Sequence, residues 1–416
     1  MSAVESNQSG RALGVLAGSI VGLTLGYSTF VVVAFGLFVR PLSDEFGWSR
    51  ADISLALTVS SVMIVILGPV VGRLTDRVGA RRVLLPSIAL FGLAISGFSL
   101  LTNSLWHFYF MFFVMAIAGL GTLPSVYTRF IVDWFTTRRG IALGATLSGV
   151  GIGLIIGPPF IQNSIETMGW RGGYLVISGL ILCISLPTAF ILLRDRNAAT
   201  SDRQAATVAP GEKHSSLMVF LRDRVFITLV SAFCLLGAVS VGLTAHLPSF
   251  FMDRGYSGEG AAGFMSLFGA AVIVGRLSCG VLIDRYFAPI VMSIFLTGMV
   301  VALALLGAVS NEAVYMLAAV LLGLGFGAEL DVMSYLVSRY FSFNRYAGIY
   351  AYVYSAFTVG AAVGPVLMGL CYDIAGNYIY GFWAFAVMAA ISIGLVLMLG
   401  PYRQSLTLEE TADELA

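Results

Sequence analysis

Four ionisable side chains stand inside stretches otherwise apolar enough to cross a bilayer: Arg129, Arg276, Glu329 and Asp331. An ionisable group near a bilayer centre costs roughly 2.5–3.5 kcal/mol on insertion scales. That cost is tolerated where the group lines a wet cavity or meets an opposite charge, and here two positives and two negatives balance. A guanidinium can hold a carboxylate through two parallel hydrogen bonds. The chemistry on offer is therefore anion recognition, with an internal carboxylate as competitor. Arg276 lies mid-span and needs an anion, or else serves only a structural ion pair; Arg129 lies nearer the end of its span, within reach of water. Glu329 and Asp331 are two positions apart, roughly 200° around a helix, so both cannot point at one ligand. Asp331 shares a face with Tyr335, and Ser125 with Arg129. Counting back from Phe135 and Phe341 sets Asp331 opposite Ser125, whereas counting forward from two Gly-Leu-Gly triplets sets Glu329 there. The expectation is Asp331 in the cavity and Glu329 against a neighbouring helix. The alternative, that both acids only tether helices, stays open.

Composition says where these residues must sit. The chain has 416 residues, 58% hydrophobic and 11% charged, with a mean hydropathy of +0.92. A soluble domain of this size needs far more charge to cover its surface, so the class is an all-α polytopic membrane protein. A net charge of +1 leaves no nucleic-acid footprint. Cys183, Cys234, Cys279 and Cys371 all fall in apolar segments without CxxC spacing and read as buried free thiols, not as a metal site or disulfide framework. The polar Met1–Gly10 leader lacks a basic start and runs into an apolar stretch too long for a signal-peptide core. No nucleophile–base pair, metal cluster or phosphate loop appears, so neither an enzyme nor a cofactor is expected.

At about 20 apolar residues per crossing, twelve spans fit near 13–39, 50–73, 83–101, 106–133, 140–164, 173–193, 222–250, 260–283, 288–309, 312–340, 346–373 and 378–400. The long polar stretch 194–221 divides them into bundles at 1–193 and 222–400, and 401–416 forms a tail. With the N-terminus inside, 17 of the 23 basic residues fall on the cytoplasmic side and four outside (Arg40, Arg50, Arg171 and Arg254). That bias puts both termini in the cytoplasm, of a cell membrane or of the inner membrane in a Gram-negative cell. Trp48, Trp106, Trp170 and Trp383 sit at span ends, as interfacial belts require.

An internal repeat runs through both halves. Gly119–Gly121, then DWFTTRRG over 133–140, then Gly153, Gly157 and Pro158 recur as Gly323–Gly325, RYFSFNRYAG over 339–348, and Gly360, Gly364 and Pro365. Small residues four apart let helix backbones approach, and the proline frees a carbonyl that something nearby must satisfy. Gly14, Gly18, Gly22 and Gly26 line one face of the first span, which reads first as a packing stripe. Parallel six-helix repeats about a midplane site are a transporter architecture.

The loop Gly72-Arg-Leu-Thr-Asp76-Arg77-Val-Gly79-Ala-Arg81-Arg82 resembles the signature loop of the major facilitator superfamily, with a weaker copy at Gly280-Val-Leu-Ile-Asp284-Arg285. The resemblance implies two pseudo-symmetric six-helix bundles. It also implies a gating loop carried by Gly72, Asp76, Arg77, Asp284 and Arg285 that latches the inner face during alternating access. A narrower likeness links the stretch from Phe35 to Arg50, Tyr127-Thr-Arg129 ahead of Trp134-Phe135-Thr-Thr-Arg-Arg-Gly140, Gly275-Arg276 and the tenth span. These look similar to bacterial members of the monocarboxylate and oxalate/formate transporter group. That likeness implies a substrate carboxylate on Arg276, helped by Ser125 and Tyr127. The chain departs from the animal carriers where Val272 replaces an acid and Val33 stands in the lysine place, so proton coupling must come from another group. Candidates are Asp331, Glu329, Arg129 and His246, the last near the end of the seventh span and more commonly a hydrogen-bonded neutral ring. Of Tyr350, Tyr352 and Tyr354, which alternate around the eleventh span, Tyr354 is taken to face the cavity.

The leading expectation is a monomeric secondary transporter that carries a small organic anion, a monocarboxylate first, by proton symport. One rival is proton-driven efflux of drug-like or cationic compounds, for which Gly144, Gly153, Gly157 and Pro158 form part of an antiporter motif. A second is a non-transporting sensor in a transporter fold.

Overall fold

The computed structural model describes residues 3–135, 139–195, 223–341 and 343–402. Almost all of the 194–221 loop and of the 401–416 tail therefore lies outside the described residues. Among the described residues all regular structure is helical. Eleven runs are long and apolar enough to cross a membrane, and one of them covers 52 residues, Ile141–Leu192. At about 1.5 Å per residue such a run is far longer than a hydrocarbon core of about 30 Å. Gly169, at φ 72°, breaks it into the fifth and sixth spans, and a left-handed residue there favours glycine. Twelve spans result.

The remaining spans are Arg50–Val78, Ala80–Gly97, Arg224–Asp253, Gly258–Ile283, Ala288–Ala308, Glu312–Tyr340, Phe343–Ala375 and Ile379–Leu397, with the first and fourth each interrupted. The first runs Ala3–Thr24, yields at Gly26, and resumes through Tyr27–Thr29 and a π-helical turn to Phe35–Phe46. The fourth stops at Gly119, turns through Leu120–Thr122, and restarts at Pro124. Leu123 is extended (φ −68°, ψ 153°), as the following proline favours, and Pro124 then suits the first position of a new helix. Backbone groups freed inside a membrane must find partners. Thr122 supplies both: its hydroxyl donates to the Gly119 carbonyl at 2.7 Å and accepts from the Tyr27 N–H at 3.2 Å. The tenth span, lacking that proline, runs unbroken.

The described residues divide into two compact units. One gathers Met1–His214 with Leu247–Ser266, and the other Ser215–His246 with Leu267–Ala416. The sequence places the whole 222–400 stretch in one bundle, yet the facing ends of the seventh and eighth spans group with the first unit. Within that unit Arg50 forks onto Asp253, with Nη1 to Oδ2 at 2.6 Å and Nη2 to Oδ1 at 2.9 Å. The Ser266 hydroxyl donates to the Ile155 carbonyl at 2.6 Å. At the other end of this unit, Arg81 donates to the carbonyls of Phe190 and Leu193, both at 2.7 Å, and so closes the end of the sixth span. A cation on a helix C-terminus is the favourable arrangement.

Two sequence expectations change here. Trp48 and Trp170 are buried, not belted: the Trp48 indole N–H donates to Asn103 at 3.1 Å and the Trp170 indole N–H to Glu45. Trp106 and Trp383 are exposed, as a belt position demands. Cys183 is exposed and Cys279 buried, while Cys234 and Cys371 are half-buried, all four as free thiols.

The Arg50–Asp253 fork makes a stability prediction. Removing one partner of a buried pair strands the other charge, at a cost of about 3 kcal/mol. Arg50→Ala should lower the thermal unfolding temperature of the purified protein in detergent, and the charge-swapped double variant Arg50→Asp, Asp253→Arg should recover part of the loss. An unchanged transition in Arg50→Ala would show that the fork contributes nothing.

Candidate substrate and ion-coupling site

The eighth span exposes Val274, Leu277 and Val281 as an apolar stripe. Arg276 is offset from Leu277 by roughly 100° and turns toward the tenth span. What brings the two spans together is the absence of side chains. A Cβ on Gly327 would lie 2.2 Å from the Val272 carbonyl and 2.9 Å from the Arg276 nitrogen, and one on Gly275 would lie 2.4 Å from the Leu324 carbonyl. Gly323, Gly327 and Asp331 recur every four residues and so share the helical face that meets the eighth span. Asp331 continues the glycine stripe at the level of Arg276. Arg276 Nε lies 3.1 Å from Asp331 Oδ2, with 23% and 31% of the two side chains exposed. The pair is neither sealed nor fully solvated.

Glu329, roughly 200° away on the same helix, is in another environment. It is 2% exposed, and the Ser240 hydroxyl of the seventh span donates to its Oε1. The two acids thus point to different neighbours, Asp331 to the eighth span and Glu329 to the seventh. Ser240 is a site residue that sequence reasoning missed. A serine in an apolar span is common enough to carry no signal by itself.

Other candidates take varied places. Ser125 is exposed and Arg129 half-buried in the first unit, with Arg129 Nε 3.8 Å from Asp133 one turn on. Tyr127 is fully buried. A Cβ on Gly22 would meet its ring at 2.4 Å, so the first-span glycine stripe packs against this tyrosine, which offers no surface to a ligand in this conformation. His246 is buried, with Nε2 2.9 Å from the Pro365 carbonyl and Nδ1 3.0 Å from the Tyr378 hydroxyl. It ties the seventh span to the eleventh beside the close approach of Gly364, where a Cβ would sit 2.0 Å from the Ala238 carbonyl. Tyr354 is 39% exposed and stacks between Tyr350 and Phe357, with ring centroids 6.1 and 6.2 Å away. In the loop motifs Gly72, Arg77, Asp284 and Arg285 are exposed. The Asp76 side chain lies outside the description, as does that of Val33.

Among the described residues, twelve apolar spans lie in two units, with an arginine–carboxylate pair between two spans of one unit. Residues 16–330 and 265–415 each match the model of the Major Facilitator Superfamily, and the chain belongs to that family. It is 26% identical over 379 residues to monocarboxylate transporter 13 of Rattus norvegicus, covering 89% of this chain and 85% of that one. It is 28% identical over 335 residues to the 3-(3-hydroxy-phenyl)propionate transporter of Escherichia coli strain K12, covering 78% and 77%. Among solved structures, a mutant of the nucleoside transporter NupG superposes with a TM-score of 0.78 at 13% identity over 94% of this chain and 100% of that one, a likeness of fold.

The glycine contact yields a test of how the pair is positioned. Gly327→Ala should destabilise the protein by about 1–3 kcal/mol through overpacking, read as a lower unfolding temperature. Gly263→Ala, where nothing lies within 4 Å, should leave it unchanged or slightly higher, since alanine favours helix over glycine. Equal transitions for the two variants would contradict the close approach.

Proposed function

We propose that this protein carries a small organic anion, a monocarboxylate first, together with a proton, by alternating access. The observation that carries the reading is the half-open Arg276–Asp331 pair, at 3.1 Å. With Asp331 ionised, Arg276 is neutralised from within and holds no ligand. Protonating Asp331 releases the guanidinium to a substrate carboxylate, which it can grip by two parallel hydrogen bonds. Proton and anion loaded together restore the charge balance, and a balanced site crosses the low-dielectric stage of the cycle more cheaply than a bare charge. The carboxylates in the relatives' names, a monocarboxylate and a phenylpropionate, support this substrate class. Ser125 and Arg129, with the exposed Tyr354, are the polar and aromatic side chains proposed to complete recognition. Arg77, Asp284 and Arg285 are proposed to act in the gating loops, and the 17-to-4 basic bias supports cytoplasmic termini.

The test is uptake by proteoliposomes of a panel running from short aliphatic carboxylates to phenylpropionates, with and without an inward proton gradient. Wild-type protein should accumulate at least one of them only when the gradient is imposed. Arg276→Lys keeps the charge but loses the planar fork. A charged hydrogen bond is worth about 1.5–3 kcal/mol, so uptake should fall about tenfold or more. Undiminished uptake by Arg276→Lys would remove the arginine from the substrate's path. Extrusion of lipophilic cations with no carboxylate uptake would transfer the reading to antiport.

A further inference from the structure

Glu329 is left over by the mechanism above, and its surroundings are unlike those of Asp331. The residue is 2% exposed, and its carboxyl lies at the contact of the seventh and tenth spans, where it accepts from the Ser240 hydroxyl. The helices around it bring ionisable groups, but the charged ones are engaged elsewhere. On the eighth span, Arg276 faces Asp331 and Cys279 is a buried thiol. On the seventh, Cys234 is a free thiol and His246 is bonded to Pro365 and Tyr378. On its own span Asp331 and Tyr335 lie beyond it, and the ninth span carries no ionisable residue. The eleventh brings Tyr350 and Tyr354, stacked on each other. A carboxylate facing one neutral hydroxyl in such a place is costly, whereas a carboxylic acid is an ordinary buried hydrogen-bonding group. A glutamine would serve as well if the only task were to bond Ser240. The added property of a glutamate is a proton that can leave.

We propose that Glu329 is a second proton site, separate from the Arg276–Asp331 exchange pair, which holds its proton while the seventh and tenth spans are in contact and gives it up when they part and water reaches the carboxyl. This rests on the proposed carboxylate–proton symport and adds to it one consequence. The Asp331 proton balances the substrate's negative charge, and the Glu329 proton is then carried in excess. Each cycle moves one carboxylate and two protons, a net charge of +1. Ser240 is a positioning residue that keeps the acid in contact across the two spans.

The experiment measures steady-state accumulation, which depends on the charge moved and not on the rate. Wild-type proteoliposomes receive one carboxylate from the panel, equal pH on both sides, and an inside-negative potassium diffusion potential. One net charge per cycle raises accumulation about tenfold for each 59 mV imposed. Glu329→Gln should keep accumulation driven by a pH gradient and lose the response to potential. Glu329→Asp should regain that response. Wild-type accumulation that follows the pH gradient but ignores the potential would overturn the second proton and leave the symport reading standing. So would a Glu329→Gln variant that still responds to potential. A protein that accumulates no carboxylate under any gradient overturns both readings together.

Discussion

The structure depends on one constraint: a charge placed in hydrocarbon must be given a counter-charge or a proton. Arg276 receives the first remedy and Glu329 is proposed to use the second. The two remedies sit on one helix, two residues apart, and the pitch of that helix sends them to different neighbours. Asp331 faces the eighth span and meets a guanidinium at 3.1 Å, while Glu329 faces the seventh and meets a hydroxyl. A part-exposed ion pair and a buried acid are thus built from a single turn of the tenth span.

Position comes from packing, and packing here comes from small residues. Without a hydrophobic drive between helices in lipid, close backbone approach and van der Waals contact hold spans together. Gly327 and Gly275 let the eighth and tenth spans touch at the level of Arg276. Gly364 does the same for the seventh and eleventh, and the His246 ring is fixed alongside. The first unit adds a different device. Its first and fourth spans are both interrupted, and the Thr122 hydroxyl satisfies a backbone group from each break. A broken helix in lipid needs such a partner, so the two interruptions hold each other in register.

Much of this was legible in the sequence because lipid leaves so few choices. Twelve spans follow from length and hydropathy, and the paired halves follow from the repeated glycine and Gly-Pro order. The need of Arg276 for an anion follows from insertion cost alone. Helical pitch separates Glu329 from Asp331 without coordinates. What periodicity could not choose was which neighbour each acid meets, since two ways of aligning the halves gave opposite answers. The signal was present as Gly323, Gly327 and Asp331 at intervals of four, a contact stripe ending in a carboxylate, but it is visible only once the partner helix is known. Trp48 and Trp170 misled for a related reason. A span end is also where loops fold back, and Asn103 and Glu45 draw both indoles inward. Tyr127, which the family resemblance assigns to substrate, is fully buried in this conformation, where a first-span glycine makes room for its ring.

The central claim is that Asp331 holds the place of a substrate carboxylate on Arg276. The most direct measurement is an experimental structure of the protein with a transported carboxylate bound. The account predicts the ligand's carboxylate within hydrogen-bonding distance of the Arg276 guanidinium, and the Asp331 carboxyl withdrawn from the Nε contact it makes at 3.1 Å. A ligand bound elsewhere, with the Arg276–Asp331 contact intact beside it, would contradict it.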